Sequence, residues 1–259
     1  MGAPYWVSSR RFERQSLQNI IENVRLQQTW CGDVEIFCEA DSYPRARNQV
    51  PAAYIECFES ALRIDGLGGS LKYLIDYYAP PRYETGYTDR HVRNLPVTEA
   101  LEHIFKNKQP AGIRVYEYMN EIENKDYPEK FIGEAELMSR IFKRSQTILS
   151  NNAIPTKYDG NGVGICFGES AKYIDAAAAH DGLILDISAA KILKERGFDV
   201  GFSEAVPCIG AKTERCGGID YYTVEPYVEY YRVELKENSK VKSFFTNDFD
   251  CFPALFTYT

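Results

Sequence analysis

"DVEIFCEADSYPR", residues 33–45, begins as a β-type run, carries two acids two positions apart, Glu39 and Asp41, and then breaks at an aromatic, a proline and an arginine. Two later stretches repeat the design. "LKYLIDYY" (71–78) brings Asp76 and Tyr77 to its end, and "GIRVYEYM" (112–119) carries Glu117, with Glu121 just beyond. Each run is entered through a turn containing Gly or Pro, which marks it as a short strand. Between them the apolar residues follow helical spacing: Leu17, Ile20, Ile21 and Val24; Tyr54, Cys57, Phe58, Ala61 and Leu62; Leu101, Ile104 and Phe105; Met138, Ile141, Phe142 and Ile148. Helix and strand therefore alternate. Alternation predicts βαβ units and a parallel sheet, and a repeat of roughly 35–40 residues suits a (β/α) barrel or a doubly wound sheet.

A second section opens with "AIPTKYDG" and the strand candidate "GVGICF". It continues with "GLILDISAAKILKERGF", a strand and then a helix with Ala189, Ile192 and Leu193 on one face and Gly197 as its stop. From about residue 211 helical periodicity is lost, and "GIDYYTVEPYVEYYRVELKENSKVKSFF" predicts strands with a polar turn at Glu237–Ser239. The expected fold is α/β, with barrel-type (β/α) units in 1–130, a Rossmann-like domain in 131–210 and a β-rich segment in 211–259.

Composition narrows the function classes. The 259 residues carry a formal net charge of −7, and no Lys/Arg cluster stands against it, so nucleic acid is not the expected partner. No run of about 18 apolar residues predicts a membrane span. Seven cysteines without a CxxC pair and only three histidines predict no metal site and no cofactor. Apolar settings such as "EIFC" around Cys38 and "YIECF" around Cys57 predict small core residues of a reducing, cytoplasmic compartment. Nineteen tyrosines supply flat apolar faces with polar tips, which suit sugar rings and wet interfaces alike.

In parallel α/β folds the loops after the strands surround the ligand site. That rule selects Glu39, Asp41, Asp76 and Glu117. Each acid taken alone also fits an ion pair with Arg45, Arg82, Arg90 or Arg114, or a helix cap. Glu117, flanked by "VY" and "YM", stands out because a buried carboxylate without a partner costs several kcal/mol. With Tyr43, Tyr77, Tyr78, Tyr83 and Tyr87 between the acids, the pattern predicts an aromatic-walled cleft with carboxylates. Glycoside hydrolysis needs such a cleft: one acid protonates the leaving oxygen and another serves as nucleophile or base.

"VEIFCEADSYPRARNQVPAAYIECFESALRIDG", "LKYLIDYYAPPRYETGYTDRHVRNLP" and "GLILDISAAKILKERGF" together resemble a group of bacterial glycoside hydrolases similar to the family 42 β-galactosidases. The resemblance spans nearly the whole chain but rests on no defined catalytic signature. It implies the last three strands of a TIM barrel, a Rossmann-like domain with the fold of glutamine amidotransferases, and β-sandwich material. It also implies assembly as a homo-oligomer, a trimer in the β-galactosidases. The first five barrel strands would then be missing, and "PALFTYT" would stop inside the β domain. Glu117 and Glu39 are the candidates for the later catalytic carboxylate, with Asp76 third. Asp41, Arg45, Tyr43, Tyr77, Tyr83 and Tyr87 are the expected sugar contacts.

Two other functions remain open. "GVGICFGES" (162–170) resembles the nucleophile elbow of class I glutamine amidotransferases, with Gly164, Cys166 and Gly168 in the motif positions. After Cys166, however, His180 is the only histidine, and no His-x-Glu pair accompanies it. The third reading is a carbohydrate-binding or assembly module that breaks no bond.

Overall fold

A computed structural model describes residues 17–42, 50–75, 85–118, 145–175, 181–208, 210–222, 230–247 and 250–259. The chain divides into two compact units, Met1–Ile165 with Asp175–Leu183, and Cys166–Ile174 with Ile184–Thr259.

In the first unit helix and strand alternate as expected: α1 (Leu17–Cys31), β1 (Cys38–Asp41), α2 (Ala52–Ile64), β2 (Ser70–Tyr73), α3 (Gly86–Phe105), β3 (Ile113–Tyr116), α4 (Ser145–Asn151) and β4 (Thr156–Lys157). β1 runs parallel to β2, with Cys38 opposite Ser70 and Asp41 opposite Tyr73. β3 runs parallel to β4, with Ile113 opposite Thr156. The expected α/β class with parallel sheets is therefore present. β3 belongs to a sheet of order β4-β3-β5-β6, where β5 is Gly164–Cys166 and β6 is Leu183–Leu185. Thus β3 and β5, on either side of the boundary expected near residue 130, are neighbours in one sheet. Gly164 makes room for this packing, since a Cβ there would lie 2.3 Å from Cε2 of Tyr116.

The first strand sits later than "VEIFCE" predicts. Val34 and Phe37 are exposed, while Cys38 and Ala40 point into the core with Ile20, Ile21, Val24, Ile55, Phe58 and Leu62. Pairing with β2 selects Cys38–Asp41, and period-two alternation then places Glu39 and Asp41 together on the opposite face. Burial of the Cys38 thiol pushes its pKa up to about 11, which leaves it an inert core group.

α2 is rotated from its predicted face. Ile55, Phe58 and Leu62 fill the core, whereas Tyr54 and Cys57 are exposed, so Cys57 is not the core residue expected. The rotation buries two acids beside the apolar stripe. Glu56 Oε1 accepts from Lys72 Nζ (2.9 Å) and Glu56 Oε2 from Asn94 of α3 (3.2 Å). Glu59 Oε2 accepts from the Ser70 N–H (3.0 Å) and hydroxyl, and its Oε1 from Arg63 (2.9 Å). Lys72 and Ser70 are alternate residues of β2, so one face of that strand is fastened to α2 through carboxylates. Of the seven cysteines only Cys38 and Cys166 are buried, fewer than their apolar settings predict, and none forms a disulfide.

The second unit contains a 3-10 turn (Gly168–Lys172), α5 (Ile187–Glu195) and strands β7 (Phe202–Cys208), β8 (Thr213–Cys216), β9 (Ile219–Tyr222), β10 (Tyr230–Leu235), β11 (Lys240–Thr246) and β12 (Cys251–Thr257). Ala189 and Leu193 of α5 are buried as expected, and Gly197 at φ 91° ends the helix, donating to the Lys194 carbonyl (2.9 Å). Asp186 caps α5: its Oδ1 accepts from the Ala189 N–H (2.8 Å) and also from the Gly168 N–H (2.9 Å), tying the 3-10 turn to the helix. Asp186→Ala should therefore cost about 1–2 kcal/mol. The loss should appear as faster hydrogen exchange at the Ala189 and Gly168 amides; unchanged exchange at both would show the cap to be idle. The predicted turn after β10 is present, closed by Ser239 N–H to the Lys236 carbonyl (3.0 Å). The β-rich segment forms an antiparallel β7–β10 pair and a sheet of order β12-β11-β8-β9, in which β12 finds its partner in the preceding β11.

Candidate functional site

Glu117 follows the last residue of β3 directly, so it stands at the carboxyl end of a parallel strand, and it is 7% exposed. Two elements hold it. Trp30 near the end of α1 donates its indole N–H to the Glu117 carbonyl (3.0 Å), which fixes the backbone. Ser145, the first residue of α4, donates its hydroxyl to Glu117 Oε1 (3.3 Å). Tyr158, just past β4, lies close enough for the Glu117 charge to raise its phenol pKa.

Tyr158 is itself held by a second buried carboxylate. Its hydroxyl donates to Glu22 Oε2 (2.9 Å), while Glu22 Oε1 accepts from Thr156 Oγ1 (2.8 Å) and Arg25 Nη1 (3.0 Å). Arg25 also reaches Thr156, through Nη1 to its hydroxyl (3.0 Å) and Nη2 to its carbonyl (2.5 Å), and it lies 5.4 Å from the Tyr158 ring centroid. Thr156 and Tyr158 are two positions apart in an extended segment, so both face α1, where Glu22 and Arg25 are one turn apart. Burial, foremost, and then the Glu22 and Glu117 charges hold the Tyr158 phenol far above its ordinary range. It stays protonated and acts as a fixed donor. Arg25 thus pairs with Glu22 in a desolvated setting, while Trp30 and Ser145 position Glu117, a buried strand-end carboxylate of the kind used for acid, base or nucleophilic work.

Glu39 and Asp41 share one face of β1, Glu39 half-buried opposite Leu71 and Asp41 4% exposed. β1 and Glu117's strand belong to separately hydrogen-bonded sheets. Asp76, Arg45, Tyr43, Tyr77 and Tyr83 fall outside the described residues, as do Glu121 and His180. Tyr87 requires a correction. It is 3% exposed within the hydrophobic core, and its hydroxyl donates to the Val50 carbonyl, so its ring offers no face to a sugar. Its position one residue into α3 turns it inward. Among the described residues Arg114 forms no ion pair with a strand-end acid: Nη1 donates to the Gly160 carbonyl (2.9 Å), and the guanidinium stacks 4.5 Å from the Tyr116 ring centroid. Cys166 is wholly buried at the end of β5, and its φ is not positive, so it lacks the strained turn that exposes a nucleophile at an elbow.

Glu22, Arg25, Thr156 and Tyr158 escaped sequence reasoning because each looks ordinary alone. A signal exists: an acid and an arginine three apart, followed by Leu26, interrupt the far side of an apolar helix. Leu26 is itself buried, so α1 is covered on two sides. Comparison of the chain with protein-family models, with curated proteins and with solved structures gave no match.

Proposed function

We propose that this chain is a glycoside-hydrolase-type protein, or part of one, in which Glu117 supplies a carboxylate for cleavage of a glycosidic bond. The observation that carries the reading is the placement of Glu117: a buried carboxylate at the carboxyl end of a parallel strand, with its backbone pinned by Trp30 and its side chain met by Ser145. In this reading β1 and β2 are (β/α) units of barrel type, β3 carries Glu117 from between β4 and β5 in the second sheet, and α5 belongs to a Rossmann-like segment. Glu39 or Asp41 closes the sugar cleft from the end of β1, and Asp76 with Tyr77 and Tyr83 contacts sugar hydroxyls and faces. The β-galactosidase likeness makes a β-galactoside the first substrate to try and a trimer the assembly to look for.

The test is release of nitrophenol from aryl β-galactosides by the wild-type chain and by Glu117→Gln. Turnover is expected to fall at least ~100-fold in the variant, with sugar binding by calorimetry retained. Equal turnover in the two proteins would remove Glu117 from the mechanism.

A specific observation favours a second reading. Tyr222 on β9, an edge strand among the described residues, is 85% exposed and offers an aromatic face suited to stacking on sugar without cleaving it. In a binding module Tyr222→Ala should weaken sugar binding while Glu117→Gln leaves it intact and no hydrolysis is seen with either protein.

A further inference from the structure

A cleft of about 630 Å³ opens at the other end of the strands from Glu117. Its rim is built from segments that precede strands: Asp65 after α2 and ahead of β2, Pro110 and Ala111 ahead of β3, Ile154 and Pro155 ahead of β4. The walls are largely apolar, from Leu17 and Ile21 of α1, Ile64 of α2, Phe105 of α3 and Ile154. Pockets of this size, apolar with a few convergent polar groups, are the usual form of small-molecule sites.

The polar floor consists of Glu22, Arg25, Thr156 and Asp65, and their hydrogen-bonding states differ. Both oxygens of Glu22 already accept, from Arg25 and Thr156 on one side and Tyr158 on the other. The Arg25 terminal nitrogens are committed to Glu22 and Thr156, and the Thr156 hydroxyl both donates and accepts. These three residues form a closed partition. Asp65 is different. Among the described residues its carboxylate receives no hydrogen bond, and desolvation, with the Glu22 charge adding to it and Arg25 opposing it, holds its carboxyl above the usual range. Glu22 is paired with Arg25, and Lys108, which also lines the cleft, is not among the charges that act on Asp65, so Asp65 is the carboxylate of the floor without an ion pair among the described residues; the Phe105 ring lines the same space.

We propose that this cleft binds a small organic cation, a protonated amine on an aryl or alkyl body, with the ammonium donating to Asp65 and the apolar body against Ile21, Ile64 and Phe105. An ammonium supplies the donors the Asp65 carboxylate lacks, cancels its charge and gains from the aromatic face. A carboxylate-bearing ligand of the same shape would meet Asp65 and Glu22 with repulsion, and a neutral alcohol would leave the charge uncancelled. Binding of an amine here does not depend on Glu117 being catalytic.

The probes are 2-phenylethylamine, 2-phenylethanol and 3-phenylpropionate, titrated into the full chain and followed by amide chemical shifts. Saturable shifts at Ile64, Asp65, Ala111 and Ile154 are expected with the amine, with affinity at least ~10-fold above that of the alcohol and no saturation with the acid. Asp65→Asn, at a half-buried position, should erase the preference for the amine. Ile64→Lys, at an exposed wall position, places a tethered cation beside Asp65 and should compete with the probe. Equal binding of the three probes, or an amine affinity unchanged by both substitutions, would overturn the assignment to a cation. Absence of saturable shifts with any probe would overturn the site itself.

Discussion

Arg25→Ala is expected to lower the unfolding free energy by about 3–5 kcal/mol, the cost of breaking a buried ion pair from one side. Arg25 and Glu22 are 10% and 6% exposed at their side chains, so neither can recover its hydration while the unit stays folded. Without the guanidinium, Glu22 keeps the Thr156 and Tyr158 hydroxyl donors but loses its only charge partner within hydrogen-bonding reach among the described residues, and the Thr156 carbonyl loses the Nη2 donor. Urea denaturation measures the loss directly, and the thermal midpoint should fall by about 10 °C. Glu22→Gln combined with Arg25→Met retains an acceptor for Tyr158 while removing both charges, so the double variant should recover at least ~1 kcal/mol relative to the sum of the single losses. A single-variant loss below about 1 kcal/mol would place the pair among the weak, solvent-screened bridges of protein surfaces.

A loss of comparable size, about 3 kcal/mol or more, is expected for Lys72→Met. The substitution nearly conserves volume, so little of the effect is a cavity; what it removes is the ammonium 2.9 Å from Glu56 Oε1, at a site where the two side chains are 7% and 3% exposed. Glu56 is then left with the neutral Asn94 amide and the ring of His91, whose Nδ1 lies 3.5 Å away. Glu56→Gln on the Lys72→Met background removes the stranded charge and should restore most of the stability. If the double variant is no more stable than Lys72→Met alone, the loss comes from packing and the electrostatic account fails. The same measurement reports on how β2 is held, because Lys72 and Ser70 are its links to the acids of α2.

The alternation of helix and strand was legible because amphipathic spacing is a local property. Ile20, Ile21 and Val24 in α1, Ala189 and Leu193 in α5, and the stop at Gly197 all lie where periodicity and the φ tolerance of glycine put them. Boundaries were less legible. "VEIFCE" satisfies a strand pattern over its whole length, and only the partner strand β2 determines that Cys38–Asp41 is the part that pairs. α3 begins at Gly86 and continues through Pro96, a residue that reads as a helix boundary, so the element is much longer than its Leu101–Phe105 end predicts, and Ile104 is exposed. On α2 a modest rotation exchanged exposed Tyr54 and Cys57 for buried Glu56 and Glu59. An apolar pattern tolerates that exchange whenever lysine, arginine and serine on neighbouring elements satisfy the acids.

The sequence by itself determined the α/β class with its parallel pairs, the later β-rich segment, and Glu117 as an acid at the end of a strand, because strand-end position and burial follow from the residues next to it. Only the tertiary structure decided the company Glu117 keeps. Trp30 and Ser145 reach it from α1 and α4 across 87 and 28 residues, and beside them Glu22 and Arg25 meet Thr156 and Tyr158 across 131, 134 and 136, separations that leave no periodic trace in the chain. Tyr87 shows the converse. A tyrosine's flat face and polar tip suit a sugar platform and a core position equally, and the Val50 carbonyl that receives its hydroxyl decides for the core.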